Sequence, residues 1–143
     1  MVIWFTGISG SGKTTLVQSL YKKYKSKIKN LVCIDGDIIR DLFGNDLGYD
    51  EKSRVLQIKR IQKLCLYFES QGLVVLVAAL FSNRYLMSWN RKNFENYYEI
   101  YLKASIALVK KRDPKDLYKK IKYKKVKNVV GVDIKWQEPK KYD

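Results

Sequence analysis

The sequence predicts an α/β fold: a three-layer sandwich in which a mostly parallel sheet is flanked by helices. Three observations carry that expectation. Short apolar runs alternate with longer amphipathic segments, the pattern of a sheet covered on both faces. A glycine-rich stretch joins the first run to the first helix, and the second run ends on a pair of aspartates. The 143 residues, 46% of them hydrophobic, suffice for a buried core, and residues 1–143 read as a single domain.

The first strand is expected over Val2 to Phe5 and the first helix from Thr15 onward. Between them, Gly7-Ile8-Ser9-Gly10-Ser11-Gly12-Lys13-Thr14 fits the phosphate-loop pattern G-x-x-x-x-G-K-[ST]. Glycines at 7, 10 and 12 let the backbone curl until N–H groups point inward, and the following helix offers its positive end to an anion. On this reading Gly7, Ser9, Gly10, Ser11, Gly12, Lys13, Thr14 and Thr15 cradle the phosphates of a nucleotide. Lys13 reaches the β- and γ-phosphates, and the Thr14 hydroxyl holds Mg²⁺.

Leu31 to Ile34 is the second strand, and it runs into Asp35-Gly36-Asp37. Carboxylates at the carboxyl end of a parallel strand stand where open α/β sheets bind ligands. There they can position an attacking hydroxyl, accept its proton and help hold a metal; an acidic turn that merely caps the next helix is the competing explanation. Asp37, Lys13 and Asp35 are therefore the catalytic candidates, with Thr14 and Asp37 as metal ligands. Next comes a helix from Arg54 to Ser70, with Ile58, Ile61, Cys65 and Phe68 on one stripe and Gln71-Gly72 as its stop. Strands follow at Leu73 to Val77 and Tyr98 to Leu102. Ser105 to Lys111 is a short helix that stops before Asp113-Pro114. Beyond Pro114 the pattern is charged and irregular.

Composition narrows the chemistry. The absence of histidine excludes imidazole acid-base catalysis and histidine-ligated metals. Cys33 and Cys65 lack metal-ligand spacing and read as reduced core residues, and no apolar run is long enough for a membrane span. The N-terminus enters a strand directly, which reads as a chain without a cleaved signal, in the cytoplasm. A formal charge of +15 suggests a polyanionic partner. Much of it lies in Lys22 to Lys29, which suits a solvated helix end, and in Lys119 to Lys127. A basic nucleic-acid-binding protein with an idle phosphate loop is the alternative from another class, but the unbroken donor motif argues for small nucleotides and against nucleic acid.

Taken together, VIWFTGISGSGKTTL, IDGDIIRDL, LGYDEKSR, IKRI, RDPKDLYKK and VGVD resemble the adenylylsulfate kinase family in identity, order and spacing, over nearly the whole chain. The resemblance implies transfer of the γ-phosphoryl of MgATP to the 3′-hydroxyl of adenylylsulfate. It places Asp37 nearest the attacking hydroxyl, with Asp35 supporting it and the metal, and gives Arg40, Arg54, Gln57, Arg84 and Gly131 to the acceptor. It puts Lys115, Leu117 and Lys119 in a mobile basic lid at about residues 112–130, with Arg112 on ATP. Two aromatic rings sandwich the acceptor's adenine in the family; here those positions are Tyr49 and Val129, so one ring is lost. A rebuilt acceptor pocket makes cytidine diphosphoramidate the alternative substrate, and capsule polysaccharide biosynthesis the alternative to sulfate assimilation. Family members also continue past the segment matching Gln137-Glu138-Pro139 into another strand and a closing helix. A homodimer is one way in which that sheet edge would be covered.

Overall fold

The computed structural model describes residues 1–80, 83–113, 123 and 127–143. Among these residues nine elements follow in order: β1 (Val2–Thr6), α1 (Lys13–Tyr24), β2 (Leu31–Asp35), α2 (Gly36–Leu42), α3 (Glu51–Ser70), β3 (Val74–Ala78), α4 (Arg84–Asn93), β4 (Tyr97–Tyr101) and α5 (Ile106–Arg112). The strands form one parallel sheet in the order β2-β3-β1-β4. Parallel neighbours need crossovers, and the helices supply them.

Strand periodicity sorts the core into two layers. Ile3 and Phe5 of β1 face one way, with Leu76 and Ala78 of β3, and bury Val17 and Leu20 of α1. Val2 and Trp4 face the other way, with Val75 and Val77, against Ile58, Ile61 and Cys65 of α3 and Leu86 and Met87 of α4. A smaller cluster joins Ile8 of the phosphate loop to Val109 of α5 and to Val129.

Capping explains where the helices start. Asp50 accepts from the Ser53 amide, so α3 begins at Glu51, a turn earlier than its apolar stripe suggested. Asn83 caps α4 by accepting from the Leu86 amide. In the first basic tract, Lys25 donates to the Lys29 and Leu31 carbonyls at 2.9 and 2.7 Å and closes the turn into β2, while Lys22 and Lys23 occupy the last turn of α1. Cys65 is buried, and burial pushes its thiol up. Cys33 is exposed on β2 and is not a core residue, which corrects the sequence-based expectation: β2 is an edge strand with β3 as its one neighbour among the described strands, and burial on the Cys33 side is confined to Leu31 at its start. Both cysteines are free, and among the described residues no helix is long and apolar enough to cross a membrane.

Candidate active site

The phosphate loop leaves β1 and enters α1 at the carboxyl end of the sheet. Gly7 is required by close approach: a Cβ there would lie 2.6 Å from the Leu102 carbonyl oxygen. Gly12 is required by conformation, since the residue preceding α1 has φ +97°, a region that L side chains rarely adopt. No side chain caps α1, and its first turn carries no acidic residue, an arrangement that suits an anion at this helix end. Lys13 is buried and folds back over the loop, donating to the Gly7 and Ile8 carbonyls at 2.8 and 2.9 Å and to Ser11 Oγ at 3.4 Å. Thr14 and Thr15 are exposed on the same helical turn.

Asp35 joins this loop to the next element. Its Oδ2 accepts from Thr14 Oγ1 at 2.6 Å, and its Oδ1 caps α2 by accepting from the Asp37 amide at 2.9 Å. The carboxylate beside Thr14 is thus Asp35, whereas Asp37 lines the adjoining cavity.

That cavity, about 450 Å³, is lined by Ser9 of the phosphate loop, Asp37, Arg40, Tyr49, Arg54, Gln57 and Val129. Ile58, Ile61 and Leu80 line it as well, beside Lys127, Asn128 and Val130. The arginines are preset by backbone carbonyls. Arg40 donates from Nη1 to the Leu47 and Gly48 carbonyls, and Arg54 donates from Nε to that of Tyr49 and from Nη2 to that of Asn128. The Tyr49 ring lies 4.6 Å from the Arg40 guanidinium and 5.6 Å from that of Arg54. Burial, with Arg40 alongside, lowers the Arg54 pKa from its ordinary value. Both effects favour an incoming anion, which would relieve the repulsion between the two cations.

The site residues expected from the sequence are not all in one place. Ser9, Asp37, Arg40, Tyr49, Arg54, Gln57 and Val129 share this cavity. Arg84 lies elsewhere: it starts α4 on the same helical stripe as Ser88 and Arg91, and all three line a separate depression with Glu99 and Glu138. Gly131 lines a third hollow, beside Ile8, Tyr101 and Trp136, where a Cβ would come 2.9 Å from Ile106 Cδ1. Arg112 is exposed in the last turn of α5. Lys115, Leu117 and Lys119, and with them most of the expected lid, lie outside the described residues. Asp46 and Arg60 were not singled out beforehand, although the three-residue spacing of Gln57 and Arg60 places both on one helical face.

Comparison with known proteins agrees with the geometry. The adenylylsulphate kinase family model matches residues 1–143. Cytidine diphosphoramidate kinase of Campylobacter jejuni is 41% identical over 138 residues, covering 96% of this chain and 81% of that protein. Adenylyl-sulfate kinase of Staphylococcus carnosus is 36% identical over 141 residues, covering 97% and 71%. Among solved structures, the APS kinase of Mycobacterium tuberculosis in complex with AMPPNP and APS superposes with a TM-score of 0.90 at 28% identity, covering 99% of this chain and 84% of that one. Phosphate loop, parallel sheet and relatives converge, and the chain belongs to the adenylylsulfate kinase family of ATP-dependent phosphotransferases.

Proposed function

We propose that the chain phosphorylates the 3′-hydroxyl of a nucleotide with an anionic 5′ substituent, held in the cavity between Asp37 and Val129. The observation that carries this reading is that Ser9 of the phosphate loop and Asp37 line one cavity together with Arg40, Tyr49 and Arg54. The γ-phosphoryl donor and the acceptor hydroxyl can therefore meet beside one carboxylate.

In the transfer, the acceptor oxygen forms a bond to the γ-phosphorus as the bond to the ADP oxygen breaks, and the hydroxyl proton passes to Asp37. Lys13 and the amides opening α1 bind donor phosphates. Arg40 and Arg54 hold the acceptor's anionic end, and Tyr49 stacks on its base. Mg²⁺ fits the oxygen donors present, because the Thr14 hydroxyl and the Asp35 carboxylate meet at 2.6 Å and this ion prefers hard oxygen ligands. Held by Thr14 and Asp35 with Asp37 nearby, it would neutralise charge on the β- and γ-phosphates.

Adenylylsulfate is the default acceptor from the family. Cytidine diphosphoramidate is the second reading, favoured by the aliphatic Val129 and Ile58 that line the cavity along with Tyr49 and by the 41% identity to the Campylobacter kinase. Incubation with MgATP and a panel of adenylylsulfate, cytidine diphosphoramidate and plain nucleoside diphosphates tests the proposal. Phosphorylation of the 3′-hydroxyl of a panel member supports it, and no turnover of any of them rejects it. Retention of nucleic acid in a salt-dependent gel shift, with no turnover, would favour the basic binding module instead.

A further inference from the structure

A helix of seven residues has fewer than two turns and cannot hold its own geometry, yet α2 carries Asp37 in its first turn. Its support comes from α3. Arg60 makes a two-pronged ion pair with Asp46, Nη1 to Oδ1 at 3.0 Å and Nη2 to Oδ2 at 2.6 Å, and its guanidinium lies 4.0 Å from the centre of the Phe43 ring, at the C-terminal end of α2. The same Nη1 donates to Gln57 Oε1 at 3.2 Å, and Gln57 Nε2 donates to the Gly36 carbonyl at 3.1 Å. A guanidinium can only donate and a carbonyl can only accept, so the Gln57 amide has one orientation that satisfies both.

The Gly36 carbonyl belongs to the peptide unit whose N–H is that of Asp37, and this N–H donates to Asp35 Oδ1 at 2.9 Å. The peptide is therefore pinned from both sides, by α3 through its oxygen and by the β2 terminus through its nitrogen. Arg60 does not line the cavity, and Asp46 is about half exposed at 47%. Ion pairs so open to water contribute little to stability, which leaves geometry as the use of this one.

We propose that Asp46, Arg60 and Gln57 form a positioning relay that fixes the Gly36–Asp37 peptide and hence the aim of the Asp37 carboxylate, with Arg60 as a positioning residue for phosphoryl transfer. The relay rests on the role given to Asp37 above. No proton moves along it; it transmits orientation.

The test compares Arg60→Met, Arg60→Lys, Gln57→Met and the double variant Arg60→Met/Gln57→Met by steady-state kinetics, thermal unfolding and amide hydrogen exchange at Asp37. Misplacement of a reacting group by about 1 Å costs on the order of a hundredfold, so Arg60→Met should lower kcat about tenfold to hundredfold. KM for ATP should stay within about twofold, because the donor site is untouched. The double variant should be no slower than the slower single one, since both cut the same chain. Arg60→Lys should recover part of the loss, as one ammonium cannot hold both partners with a planar fork, and it serves in place of Arg60→Met if that variant does not fold. Unchanged kcat in the Arg60 variants, or losses that multiply in the double variant, overturns the relay. If the wild type phosphorylates no acceptor, the kinase reading fails, and exchange alone judges the relay. Faster exchange at Asp37 in both single variants at an unchanged Tm supports it, and unaltered exchange overturns it.

Discussion

The Thr14 hydroxyl donates to the Asp35 carboxylate across 2.6 Å, tying the first turn of α1 to the carboxyl end of β2. The other oxygen of that carboxylate caps α2 through the Asp37 amide. One carboxylate therefore meets both the phosphate loop's helix and the acidic turn, an oxygen to each.

Lys13→Ala is expected to abolish measurable transfer while leaving the fold intact. Loss of one preorganised electrostatic contact typically lowers turnover about a hundredfold to a thousandfold, and Lys13 serves the loop as well as the phosphates. Circular dichroism should be unchanged. Near-normal turnover would remove Lys13 from the mechanism.

Asp37→Asn and Asp35→Asn should differ in kind. The first should lower kcat by about two to four orders of magnitude with little change in KM for ATP, the usual range for a lost general base. The second should raise the Mg²⁺ concentration needed for half-maximal rate, because Asp35 is the carboxylate at Thr14. Equal and modest losses in both would reduce the pair to a helix cap.

Acceptor choice can be read at Val129. The residue is buried against Ile8 and Val109 while also lining the cavity, so a larger side chain there must extend into the cavity. If adenylylsulfate is a poor substrate of the wild type, Val129→Phe should raise its kcat/KM about fivefold to hundredfold by restoring a stacking face. Efficient turnover of adenylylsulfate by the unmodified chain would refute a changed acceptor.

Glu99 sets a pH-dependent stability. It is 1% exposed on β4 beside Trp4, and its Oε1 has no hydrogen-bond partner among the described residues. Its Oε2 stands 3.5 Å from Arg91 and 3.3 Å from the Tyr97 hydroxyl. Burial raises its pKa above the usual carboxylate range, and Arg91 opposes that only in part. The native state thus holds this proton more tightly than the unfolded chain. The contribution is complete below the ordinary glutamate pKa and is lost as pH rises through the raised native value. Glu99→Gln should match the wild type near about pH 4 and exceed its Tm at neutral pH, with Arg91 still paired to Asp143. A lower Tm at neutral pH would mean that the ion pair outweighs burial.

Strand positions were legible because strands of a sheet covered by helices are rich in apolar residues, and each of the four lies within one residue of the run that announced it. The start of α3 was not, because an Asp50 cap acts before the apolar stripe begins. In the site, the residue types were legible and their partners were not. Arg40 and Arg54 look like free cations in the sequence, but they spend donors on carbonyls of residues 47–49 and 128 that no local pattern announces. Arg84 was assigned by its place after β3, and it lines a depression other than the cavity of Arg40 and Arg54.

The bond from Arg54 to the Asn128 carbonyl joins residues 74 apart in sequence. A chain leaving the ribosome N-terminus first can lay down β1, β2, β3 and α3 well before residue 128 emerges. Until then Arg54 lacks one of its carbonyl acceptors and the cavity lacks a wall. Nucleotide-dependent protection from protease in stalled nascent chains of increasing length should therefore appear late, only after the Asn128–Val130 wall has cleared the exit tunnel.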